Sequence, residues 1–447
     1  TAVDEWDLRP QVRVVRLADG RSFPVTEVER AGETFNASPS WSADSRFIHF
    51  ISNRGGSTDL WRRAIATDGT PTGRSQRLTT GVEMLFARLT PDGRRLAYSK
   101  GRQMGNIWRV PVLEGRLATW SDAQQLTHEQ GWPGHVGLSP DKTRLAFCLR
   151  GQAGTYIWTM PAEGADPERV LMDPMEQIWA RWTPDGQRIA FFSHLEVWVV
   201  PLDGGPPSRL TENEANDGRG AWSPDGQEIA FISNRGGNFD VWTLPAQGGE
   251  ARQVTADPAN DFIMGQINWP HSGVWSPDGR EIAFYSSRSG NWDVWAVPSA
   301  GGEARQLTSH PGADRFPAWS PDGRWILFDS DREGGRLWND SMGGGRLWRV
   351  PAEGGDAEPV LGEDSWSLIF SPGGDTVYFG AQRDGHGNLY ERPFGSTAER
   401  QLTDFAGRPG SLAWLHDTDG EFLYFTWSED HGDLWVMDVE QPREAAR

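Results

Sequence analysis

The chain has 447 residues, 37% hydrophobic and 11% aromatic, with 24 Trp, 53 Gly, 30 Pro and a formal charge of −19 at pH 7. Its apolar content suffices for a packed core, and so much Gly and Pro demands many turns, which favours short strands over helices. The charge argues against nucleic acid or anionic lipid as the main partner, because both need a positive face.

No apolar run approaches the roughly 18 residues of a membrane-spanning helix. The opening TAVDEWDLRP also lacks a charged-then-apolar signal pattern. We therefore expect a soluble chain with no membrane insertion, either a mature form or a piece of a longer protein. The single Cys148, inside the strand-like RLAFCLR, cannot form an internal disulfide and reads as a small buried apolar residue.

In chain order, Val12 to Leu17 looks strand-like, and ADGRSFPVT at 18–26 has the form of GGEARQVT at 248–255. A repeating start then follows: WSADS at Trp41, LTPDG at Leu89, LSPDK at Leu138 and WTPDG at Trp182. WSPDG recurs at Trp222, Trp275 and Trp319, followed by FSPGG at Phe370 and WLHDTDG at Trp414. The spacing is close to the ~40–45 residues of a four-stranded propeller blade.

Ser-Pro-Asp-Gly suits a tight reversal, with Pro presetting φ, Asp bonding nearby backbone and Gly taking the left-handed corner. After each turn comes an alternating run such as EIAFIS, EIAFYS or RWILFDS, a second strand. Third strands centre on an apolar-aromatic pair, from Leu60-Trp61 through Val241-Trp242 to Leu434-Trp435, and fourth strands end as in RQLT. No fourth strand follows the last repeat, so residues 12–26 are expected to supply it and close the ring.

The expectation is an all-β chain: a single β-propeller domain over 1–447, with nine four-stranded antiparallel blades or, failing one irregular unit, eight. W-S-P-D-G, I-A-F-x-S-x-R-x-G-N-x-D-[IV]-W and G-G-x-x-x-Q-L-T together resemble the TolB-type repeat, also called WD40-like or PD40, over roughly residues 20–440. That resemblance implies a β-propeller, used as a binding scaffold in periplasmic TolB and set beside catalytic domains in prolyl oligopeptidase-like and tricorn-like peptidases. It also embraces some polysaccharide lyases, so fold alone does not choose the function.

No G-x-S-x-G elbow, H-E-x-x-H, C-x-x-C pair, Walker or dinucleotide fingerprint is present, and nothing long enough for a hydrolase domain follows Trp435. The 9 His are scattered without metal-ligand spacing. Asp329-Ser-Asp331 and Asp417-Thr-Asp419 imitate part of a calcium loop, but both align with ordinary repeat positions, so no metal and no cofactor are expected.

Departures from the repeat carry more information. The connection from Thr255 to Trp275 is lengthened and holds Asp261, Phe262 and Trp269, and GGRLWNDSMGGGRLW (334–348) lengthens another loop with Trp338. Three places before each start stand Ser38, Phe86, His135, Trp179, Arg219, Ser272, Phe316, Ser367 and Ser411, with Glu176, Arg181, Asp217 and Arg315 nearby.

Near the mouth of a central channel such aromatics and arginines suit a sugar, a carboxylate or a peptide terminus. The expected binding residues are thus His135, Glu176, Trp179, Arg181, Asp217, Arg219, Asp261, Phe262, Trp269, Arg315, Phe316 and Trp338, with none expected to be catalytic. The favoured reading is a non-enzymatic, monomeric scaffold that binds a protein or peptide in the bacterial envelope, periplasmic or secreted. The alternatives are a polysaccharide lyase-like enzyme using the channel mouth, and a sensory or regulatory domain of a larger protein.

Overall fold

The structure is a computed structural model, and it describes residues 12–17, 19–26, 36–55, 57–128, 131–151, 154–171, 177–194, 196–263, 274–332, 346–362, 365–383 and 385–438. Every regular element among them is a strand. Neighbouring strands are antiparallel in every sheet except the short parallel pair of Ala118–Thr119 with Thr403–Asp404, and the chain falls into two units, Met104–Glu429 and Thr1–Gln103 with Asp430–Arg447.

The repeat motif explains the local structure. In WSPDG at 222–226 the Ser223 hydroxyl donates to Asp225 Oδ1 at 2.6 Å, and Asp225 accepts the Gln227 N–H at 3.0 Å. Gly226 closes the turn at φ +69°, where a side chain would be strained. At the other end of the repeat, Thr255 Oγ1 accepts the Val241 N–H at 3.0 Å, and Thr308 does the same for Val294. The recurrent Ser and Thr are therefore backbone partners.

The Arg of SNRGG is also structural. Arg235 lies over Phe231 and Trp242 at 5.1 and 5.0 Å, receives Ser233 Oγ as an acceptor at 2.9 Å, and pairs with Asp217 at 2.7 Å. Arg288 repeats this with Phe284, Trp295, Ser286 and Asp261, and Arg332 with Phe328, Trp348, Ser330 and Asp314. Each staple ties the start of one first strand to the loop that follows the second.

In Met104–Glu429 the described residues form six four-stranded sheets, I to VI, and most of a five-stranded one, VII. Sheets I to VI open with the strands Trp132–Leu138, Ile178–Trp182, Asp217–Trp222, Asp261–Phe262, Asp314–Trp319 and Ser365–Phe370. Sheet VII is assembled in the order Ser411–Thr418, Phe422–Asp438, Arg95–Pro111 and Gln124–Gln125, with Met84–Leu89 also paired to Arg95–Pro111, so two of its strands come from late in the chain and three from much earlier. Packing runs I to VII in order and returns from VII to I, where Ile107 and Tyr424 share a core with Leu138 and Phe147.

This corrects the expected closure. The strand completing the Trp414 repeat is not in residues 12–26; Arg13–Val15 instead pairs with Ser22–Pro24. The reason is burial: Val12, Val14 and Val25 pack on Ile48, Phe50 and Ile65 of the first repeat. Trp108 and Val110, by contrast, pack with Leu412, Leu415, Phe425 and Trp427.

The expected third strand at Leu434-Trp435 also differs, because Phe422–Asp438 is one long strand on which Leu434 is 78% exposed. Of the nine repeat starts, seven fall in Met104–Glu429. Those at Trp41 and Leu89 belong to the other unit, which holds the four-stranded sheet Asn36–Trp41, Phe47–Ser52, Asp59–Ile65 and Pro71–Arg77.

Candidate functional site

Within Met104–Glu429 the first strands of sheets VII and I, I and II, and VI and VII touch one another, so first strands form the inner layer. Each of several inner strands breaks register in its middle, between Gly134 and Gly137, Ile178 and Arg181, Gly218 and Ala221, Arg315 and Ala318, and Trp366 and Ile369. At four of these breaks the extra residue is a non-glycine with positive φ: His135 (54°), Trp179 (57°), Phe316 (57°) and Ser367 (54°). Ser38 does the same at 51° in the other unit.

These are the positions three before each repeat start that comparison of the copies picks out. A left-handed non-glycine residue costs on the order of 1–2 kcal/mol, so its recurrence marks a bulge that takes one side chain out of the in-out alternation. Arg219 occupies the corresponding break in sheet III.

Around sheets VII, I and II these inner strands bring chemistry together. The His135 and Trp179 rings meet edge to face with centroids 6.2 Å apart, and Trp179 rests on Phe192 at 5.2 Å. Arg181, two residues after the Trp179 bulge, interacts electrostatically with Cys148, Asp417 and His416; burial works against its charge, and the Asp417 carboxylate supports it.

Burial pushes the Cys148 thiol up to about 11, so it stays protonated at neutral pH. His416 is 1% exposed; burial first and Arg181 second hold its pKa down to about 3, and its Nε2 lies 2.7 Å from Thr426 Oγ1. Asp417 accepts the Leu138 and Thr418 N–H groups, each at 2.8 Å, and lies 3.7 Å from Lys142 Nζ. Beside the same bulge, a methyl group placed on Gly134 or Gly137 would meet no atom within 4 Å, which leaves room next to the inner strand.

A second group forms at sheets IV and V. Phe262 is fully buried among Phe239, Tyr285 and Trp292 at 5.5, 5.6 and 5.8 Å, Phe316 meets Tyr285 at 5.5 Å, and the Arg315 guanidinium lies over Trp292 at 5.3 Å.

The expected residues therefore divide. His135 and Trp179 come together, as do Phe262, Arg315 and Phe316 around Tyr285 and Trp292, whereas Arg181 interacts with Cys148, His416 and Asp417. Asp217 and Asp261 are buried and already engaged by Arg235 and Arg288. Glu176, Trp269 and Trp338, with most of both lengthened loops, lie outside the described residues. His416, Asp417 and Cys148 were missed as site residues, although WLHDTDG departs visibly from WSPDG.

Sheets, turns and inner bulges together define a β-propeller repeat protein. Residues 265–370 match the TolB beta propeller domain, PD40, and residues 186–272 match the tricorn protease N-terminal beta propeller domain. No curated protein matches the sequence.

Among solved structures, the chain is similar to an oligogalacturonate lyase of Vibrio parahaemolyticus, with a TM-score of 0.51 and 12% identity, covering 73% of this chain and 98% of that one. It is also similar to a TolB-like protein of Agrobacterium tumefaciens (TM-score 0.44, 20% identity, 73% and 99% covered). The tricorn protease gives a TM-score of 0.47 at 14% identity, covering 90% of this chain and 46% of that one.

Proposed function

We propose that residues 104–429 form a seven-bladed propeller that acts as a non-enzymatic scaffold, binding a protein or peptide across its inner strands in the bacterial envelope. The observation that carries this reading is the set of left-handed bulges, which present His135, Trp179 and Phe316 from the inner layer beside Arg181 and Arg315. Aromatic faces next to a guanidinium suit peptide side chains and carboxylates. The envelope assignment rests on the TolB-type repeat alone.

The chemistry of the inner cluster favours binding over turnover. A histidine held at about 3 is a weak general base at neutral pH, and a thiol held at about 11 is not a nucleophile. A lyase abstracting a proton beside a carboxylate-binding arginine would need a base far better matched to neutral pH.

The test is titration of the protein, followed by tryptophan fluorescence and calorimetry. The probes are short synthetic peptides with free or amidated C-termini, and oligogalacturonate. Saturable peptide binding is expected, weakened at least about tenfold, or about 1.4 kcal/mol, by Arg181→Gln. Cleavage of oligogalacturonate, or sugar binding with no peptide binding, would contradict the reading.

A further inference from the structure

Three successive sheet junctions in Met104–Glu429 each set two buried acids near one another. The third strands of sheets II, III and IV begin with Glu196, Asp240 and Asp293, and the first strands of sheets III, IV and V begin with Asp217, Asp261 and Asp314. All six are buried.

The junctions differ in how many cations face those acids. Between II and III, Arg209 pairs with Glu196 at 2.5 Å and Arg235 with Asp217 at 2.7 Å, two guanidinium groups for two carboxylates. Between III and IV, Gln253 stands where the repeat has Arg209, and its amide donates to Asp240 Oδ2 at 3.0 Å. Arg288, 2.5 Å from Asp261, is the guanidinium that remains among the described residues.

Hydrogen bonding is thin as well. The Thr255 hydroxyl accepts the Val241 N–H and has one proton to share between Asp240 Oδ1, 3.3 Å away, and Asp261. The Ser286 and Thr255 hydroxyls support the Asp261 charge, yet its buried Oδ1 has no hydrogen-bond partner of ordinary geometry among the described residues; Asp217 Oδ1 shares that lack, so the number of cations is what sets the two junctions apart. Two buried carboxylates facing one cation cannot both ionise cheaply, and an orphaned acceptor oxygen is where a shared proton gains most.

We propose that Asp240 and Asp261 hold one proton in common, making the junction between sheets III and IV a proton-operated clasp that tightens as pH falls and loosens as it rises. Burial first and the Asp261 carboxylate second push Asp240 up to about 6, and burial pushes Asp261 up as well. Among the described residues, few other groups face the pair. Arg288 follows the second strand of sheet IV; Asp257, 3.9 Å from Arg288, lies in the connection; and Ser233 and Gln253 lie on the strands flanking Asp240.

The IV–V junction is a weaker version. Gln306 there replaces the arginine at 3.1 Å from Asp293, but Ser330 and Arg332 satisfy both oxygens of Asp314.

The sign follows from the raised pKa. An acid whose folded pKa exceeds its unfolded one binds its proton more tightly when folded. The stability it contributes is complete below the unfolded value near 3.8 and is lost as pH rises through about 6.

The experiment is thermal unfolding of the full chain from about pH 5 to about pH 8 for wild type, Gln253→Arg, Asp240→Asn and Arg209→Gln. Gln253→Arg supplies the missing cation and Asp240→Asn removes the proton, so both gain midpoint temperature relative to wild type as pH rises. Arg209→Gln moves the shortfall to Glu196 and Asp217 and loses midpoint temperature with rising pH. If Gln253→Arg does not fold, Asp240→Asn decides. Wild-type and variant curves that run parallel across the range would overturn the clasp.

Discussion

At the scale of single residues, the inner bulges are the most informative feature. A left-handed backbone at Ser367, 8% exposed with φ 54°, has no β-sheet reason to recur at His135, Trp179 and Phe316 unless the register break itself is selected. Ser367→Gly should therefore be tolerated within about 1 kcal/mol, because glycine takes this conformation freely. Ser367→Val should cost roughly 1–3 kcal/mol, because a β-branched side chain resists it. Chemical denaturation of the two variants checks this, and equal effects would mean the bulge is not strained. These positions are legible in the sequence because each stands three places before a repeat start, where aligned copies bring aromatic, Arg and His side chains to one site of the blade. It did not expose His416 or Asp417, whose importance comes from Arg181 reaching them from another sheet.

At the scale of elements, most strands were legible because their signals are local: alternation for second strands, Ser-Pro-Asp-Gly for turns, a terminal Thr for fourth strands. The role of Asp217 was not legible, because its partner Arg235 lies across a hairpin and both look like exposed polar residues in one dimension. The last strand shows the limit of motif reading. Leu434-Trp435 fits the third-strand pattern, yet Leu434, Trp435 and Val436 are 78%, 48% and 61% exposed. Leu434→Ala should consequently change stability by no more than about 0.5 kcal/mol. A loss of about 2–5 kcal/mol, as for a core leucine, would restore the sequence reading.

At the scale of the molecule, the period marks nine repeat starts in the sequence, but how they group into sheets is not written in the period. Grouping depends on which distant strands share a core, and the apolar residues of 104–125 fit the Trp414 repeat better than the three valines near the N-terminus. Sheet VII pairs strands from both ends of Met104–Glu429, and the binding surface proposed for the inner strands depends on that pairing. The direct measurement is cooperative unfolding, followed by tryptophan fluorescence, of two fragments spanning residues 104–429 and 128–429. A single cooperative transition is expected for the first and none for the second, which lacks Gln124–Gln125 and all of Arg95–Pro111 from sheet VII. Equal folding of both, or a first fragment that folds only when residues 12–26 are supplied, would contradict it.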